Sequence, residues 1–97
     1  MMIRHICMFT IQNENKENNI QEFIKQADKL KDIKEIKKFN VVRNTKDMPE
    51  SNYDVALIFD FENIDALNSY QNSQLHLEFG KFVSSVRVQR ACIDYEF

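Results

Sequence analysis

Tyr53 to Phe61, YDVALIFDF, places Tyr53, Val55, Leu57, Phe59 and Phe61 on one row and Asp54, Ala56, Ile58 and Asp60 on the other. Alternation with period two over β-branched and aromatic residues predicts a strand, and this one is expected to be central. The chain continues ENIDALNSYQNSQLH. There Asn63 is a good helix N-cap, Asp65 stands in the first turn where the helix dipole favours it, and Ile64, Leu67 and Tyr70 follow at helical spacing. Gln71 to Gln74 is a polar interruption. Leu75, Phe79, Phe82, Val83 and Val86 then resume the helical period.

Working outward, Ile3 to Thr10 carries two mixed rows, Ile3, His5, Cys7 and Phe9 against Arg4, Ile6, Met8 and Thr10, as in a strand covered on both faces. After polar Gln12 to Asn19, Ile20, Phe23, Ile24, Ala27 and Leu30 mark an amphipathic helix for which Asn15 is the expected N-cap. Ile36 to Arg43 reads as a second strand, Asn44 to Asn52 with Pro49 as a loop, and Val86 to Phe97 as a closing strand. The order is βαββαβ with a broken second helix. It predicts a ferredoxin-like α+β fold with helices on one face of a four-stranded antiparallel sheet. If the helices cover the row of His5, Val55, Leu57 and Phe59, the opposite row leaves Ile6, Met8, Ala56 and Ile58 bare. A second sheet is the simplest cover, which predicts a homodimer closed as a dimeric α/β barrel.

Composition agrees with one domain over residues 1–97: a single Gly and a single Pro mark no linker, and 43% hydrophobic with 29% charged residues is the balance of a folded globular chain. A chain of this size buries only about 60–70% of the surface it exposes unfolded, so a partner subunit would help. The net charge of −2 comes from interleaved signs, with no basic stripe to track phosphates, and nucleic acid is not an expected partner. The opening MMIRHICMF lacks the long apolar run of a signal peptide or membrane span, so a cytoplasmic protein without a membrane partner is expected. Cys7 and Cys92 stand at opposite ends of the chain without a CxxC, and are expected to be buried free thiols.

MIRHICMFTI, YDVALIFDFENIDALNSYQNSQLH and CIDYEF together resemble the stress-responsive dimeric α/β-barrel (Dabb) domain family, over nearly the whole chain. The resemblance implies the same fold and a homodimer. It also implies a pocket between sheet and helices for a small apolar or carbonyl-containing molecule, and no cofactor. In a plant polyketide cyclase of the family, a His is the base of an aldol condensation and a Tyr binds the carbonyl oxygen. By the motif these roles fall on His76 and Tyr70, with His5 lining the same pocket. Tyr53 opens the third strand as in the family, Val55 stands where the cyclase has a further pocket His, and Arg90 is placed to select an anionic ligand. The chain departs from the family's Tyr-x-x-His-Pro-x-His at Ser73 and Gln74, which take the place of the first His and the Pro.

Each of these residues has a plainer reading. His76 reads equally as a capping or surface histidine, and His5 as a buried structural one. Tyr53 and Tyr70 read also as core aromatics, and Arg90 as an ion-pair partner. Asp94 and Glu96 lack the clustered His or third carboxylate of a metal site, so no metal is expected. Two functions remain: a small-molecule binding dimer, or a cofactor-free cyclase, isomerase or monooxygenase-like enzyme moving protons with His76 and Tyr70.

Overall fold

The computed structural model describes residues 1–97. The elements run β1 (Ile3–Ile11), α1 (Lys16–Asp28), a 3-10 turn (Lys29–Asp32), β2 (Ile36–Arg43), β3 (Val55–Phe61), α2 (Ile64–Gln71), α3 (Gln74–Val86) and β4 (Arg87–Glu96). The four strands form one antiparallel sheet in the order β2-β3-β1-β4, the ferredoxin-like arrangement. No helix is long and apolar enough to cross a membrane.

Alternation along the strands decides which face is covered. Ile3, His5, Cys7, Phe9 and Ile11 of β1 and Val55, Leu57, Phe59 and Phe61 of β3 are buried against Ile20, Phe23 and Ala27 of α1, Leu67 and Tyr70 of α2, and Phe79 and Val83 of α3. Phe23 joins the layers, its ring 5.4 Å from Phe9 on β1 and 5.2 Å from Phe79 on α3.

The expectation of a barrel is corrected. The sheet stays open, with β2 and β4 as unpaired edges at opposite sides of β3 and β1. Four strands with helices on only one face do not bring their edges within pairing distance, which a closed barrel requires. The other face carries no helix and its centre is half-buried: Ile6 lies opposite Ile58 and Ile93, and Met8 opposite Ala56 and Ala91. Arg4 bounds this apolar face at one end, donating to Asp60 at 2.8 and 3.0 Å and standing 4.5 Å from the Phe97 ring.

The free-thiol expectation is also corrected. Cys7 and Cys92 face each other in the β1–β4 register and form a disulfide. Distance along the chain hid the pairing, because the first and last strands are neighbours in the sheet.

Two local expectations change in detail. Asn15 precedes α1, but in left-handed backbone at φ 54° and with no capping bond from its side chain. β3 begins at Val55, and just before it the Asp54 carboxylate accepts the Ile11 N–H at 2.8 Å and Lys16 Nζ at 3.0 Å. That side chain takes a backbone donor of β1, tying the start of β3 to the end of β1.

Candidate functional site

The junction between α2 and α3 builds the site. Asn63 caps α2 as expected, its side chain accepting the Ala66 N–H at 2.8 Å. At the far end Ser73 serves both helices, donating from Oγ to the Tyr70 carbonyl at 2.7 Å and accepting the His76 N–H at 3.2 Å. A serine at the N-cap thus makes the break between helices that a proline makes by lacking an N–H. His76 falls in the first turn of α3, its Nδ1 2.9 Å from the Gln71 carbonyl oxygen. A carbonyl only accepts, so Nδ1 carries the proton and Nε2 is left with a free lone pair.

Beside this junction a cavity of about 160 Å³ opens between the sheet and α3. His5, Tyr70, His76 and Arg90 all line it, so four of the six residues singled out from the sequence share one site. The rings of Tyr70 and His76 meet edge to face with centroids 4.7 Å apart, and His5 stands 6.2 Å from Tyr70. His5 is buried and bonds through Nδ1 to Asp94, directly opposite it on β4. Arg90 Nη2 lies 3.7 Å from the Cys7 sulfur. Phe79, Leu57 and Phe9 supply apolar wall.

The other two residues lie elsewhere. Tyr53 precedes β3 in a shallow recess with Met8, Val42 and Ala56, towards the bare face of the sheet. Val55 is core, opposite Phe9, and it is Leu57 of the same row that reaches the cavity.

Tyr70 is the unusual member. Its side chain is fully buried and its hydroxyl has no hydrogen-bond partner. Burial pushes the phenol well above the ordinary tyrosine range, so it stays protonated and available as a donor. Burial likewise lowers His76 from the ordinary imidazole range, the bond to the Gln71 carbonyl opposing that shift and the nearby Arg90 charge adding to it. The pair is therefore a neutral base beside a neutral donor.

Arg87 was not singled out from the sequence, yet it lines the same cavity. Simple alternation puts it on the face opposite Arg90. The β1–β4 register shifts between Thr10 and Ile11, so Phe9 faces Arg90 while Ile11 faces Arg87. One extra residue in β4 turns both guanidinium groups to the helix side.

The family model of the stress-responsive A/B barrel domain matches residues 3–97. Among solved structures, a dimeric protein of unknown function with a ferredoxin-like fold from Bacteroides fragilis is 30% identical, with 99% of this chain and 96% of that one covered at a TM-score of 0.86. A Dabb family protein with a ferredoxin-like fold from Mesorhizobium loti is 23% identical, with coverages of 99% and 96% and a TM-score of 0.84. A hydroxynitrile lyase from Passiflora edulis shares the fold at 17% identity, with coverages of 97% and 91% and a TM-score of 0.82. No curated protein matches the chain.

Proposed function

The chain belongs to the stress-responsive A/B barrel domain family, and from that membership we propose a homodimer in which each subunit holds a small carbonyl-bearing molecule between sheet and helices. The observation that carries the reading is the unpartnered Tyr70 hydroxyl in a ring that walls the cavity. A buried donor without an acceptor is costly, and a ligand carbonyl that reached the shielded hydroxyl through a small shift of the cavity wall would be the acceptor that relieves it. The volume limits the ligand, since a cavity of about 150 Å³ accommodates a molecule the size of benzene.

Titration with butan-2-one, followed by amide NMR shifts, tests this reading. Shifts are expected at Tyr70, Gln71, His76 and Gly80, with affinity falling about tenfold in Tyr70→Phe. Shifts scattered over the surface, or equal affinity in that variant, would count against it.

Dimerisation is supported by the half-buried row Ile6, Met8, Ala56 and Ile58 on the face without helices, extended by Ile93 at 59% exposure, and by the dimeric relative from Bacteroides fragilis. Burying this row contributes at about 25 cal/mol per Å² before the cost of association. Light scattering is expected to report a dimer for the parent, and a monomer for Ile58→Asp and for Ile93→Asp with the circular dichroism of the parent. A monomeric parent at micromolar concentration would remove the proposal.

His76 favours a second, catalytic reading. With Nδ1 holding its proton on Gln71 and the ring held neutral, Nε2 is fit to take a proton from carbon beside the bound carbonyl, while Tyr70 donates to the developing enolate. Such chemistry predicts exchange of the butan-2-one α-protons with deuterated water, lost in His76→Ala. The base works unprotonated and its folded value is lowered, so exchange should persist on acidification through about pH 6.5 and fail only below it. Exchange at the rate of buffer alone leaves binding as the function.

A further inference from the structure

The charges around the cavity narrow the ligand further. Arg4 donates twice to Asp60, and Arg43 donates twice to Glu17. The chain's other arginines, Arg87 and Arg90, form no salt bridge, and both line the cavity. The one side-chain hydrogen bond of Arg90 goes to the Cys7 sulfur, which neutralises no charge. Asp94 stands on the same face of β4, but its carboxylate is engaged by His5.

The lining holds His5, His76, Arg87 and Arg90, and no Asp or Glu. That bias runs against the chain as a whole, which carries 15 acidic against 13 basic residues. Arg87 and Arg90 are exposed while Tyr70 is wholly buried, so the cationic groups sit at the solvent side and the phenol at the closed side. The β4 bulge that turns Arg87 towards Arg90 puts two guanidinium groups where planar, paired N–H donors can meet a carboxylate.

We propose that the natural ligand is a small oxo-carboxylate, with its carboxylate held by Arg87 and Arg90 and its carbonyl oxygen by Tyr70. This rests on the binding reading above and adds the anionic end. A molecule of about six to eight non-hydrogen atoms is the size that a cavity of about 160 Å³ takes.

Three probes of one carbon skeleton separate the parts: 2-oxobutanoate, butan-2-one and butanoate, each titrated against the parent by amide NMR. The oxo acid is expected to bind about tenfold more tightly than either probe lacking one of its groups. Arg90→Gln and Arg87→Gln should each weaken 2-oxobutanoate about tenfold and leave butan-2-one unchanged. Both residues are exposed, so the variants are expected to keep the parent's spectrum away from the cavity.

Equal affinity for butan-2-one and 2-oxobutanoate, or no effect of the arginine variants, overturns the anionic assignment and leaves the carbonyl reading standing. Equal affinity for butanoate and 2-oxobutanoate removes the carbonyl from the ligand and keeps the anion. Failure of all three probes to shift the cavity resonances overturns both readings.

Discussion

Reducing the Cys7–Cys92 disulfide is expected to lower the unfolding free energy by about 2–4 kcal/mol. The bond joins residues 85 apart in sequence, so it constrains nearly the whole unfolded chain, and loop-closure entropy grows with the loop it closes. For a domain of this size the loss corresponds to a fall in Tm on the order of 10–30 °C. Thermal unfolding with and without dithiothreitol measures it. A Cys7→Ser, Cys92→Ser double variant should melt at the reduced temperature under both conditions. Coincident curves for the parent would show that the two sulfurs are not linked. The effect reaches the site as well, because Cys7 is part of the cavity wall and its sulfur is the neighbour of Arg90. Disulfides persist in oxidising surroundings and are rare in the reduced cytosol, so the stability of this protein depends on the redox state around it.

The second large effect has the opposite sign. Tyr70→Phe is expected to raise the unfolding free energy of the ligand-free protein by about 1–3 kcal/mol. The substitution removes only a hydroxyl that is buried and unpartnered, and keeps the ring that packs 5.8 Å from Phe59 and 5.2 Å from Phe61. A buried polar group without a partner loses its hydration and gains nothing in return, so deleting it relieves a cost. Thermal unfolding should show a Tm several degrees higher. A lower Tm would mean that the hydroxyl is satisfied in the free protein, and would remove the support it lends to a carbonyl ligand. A gain in stability with a loss of binding is the pattern of a group retained for function.

Periodicity exposed the frame of this molecule well. The row Val55, Leu57, Phe59, Phe61 is the buried face of β3, and Asn63 caps the helix that follows. The sequence of elements also put the helices on the face that carries His5. What it left hidden depended on which strands are neighbours. The disulfide follows only once β4 is placed beside β1 in register, and a barrel was inferred from a bare face that the open sheet in fact retains.

The site divided along the same line. Tyr70 and His76 lie close in sequence, and the Ser73 cap between them fixes their geometry locally. Arg87 depended on a bulge, a one-residue irregularity that alternation cannot foresee. Tyr53 failed to reach the cavity because it lies beyond Val55 at the far end of its row, of which only Leu57 comes to the cavity wall.

The strand order also sets a timetable for folding. β1 is made first but sits in the middle of the sheet, and its partners β3 and β4 come late in the sequence. An apolar strand with both edges unpaired must therefore wait through the synthesis of α1, β2 and the intervening loop. Pairings this distant along the chain are slow to close, because loop entropy is spent before any contact rewards it. Until β3 arrives, Ile3 to Ile11 is an apolar segment open on both edges to pairing with a neighbour's nascent chain.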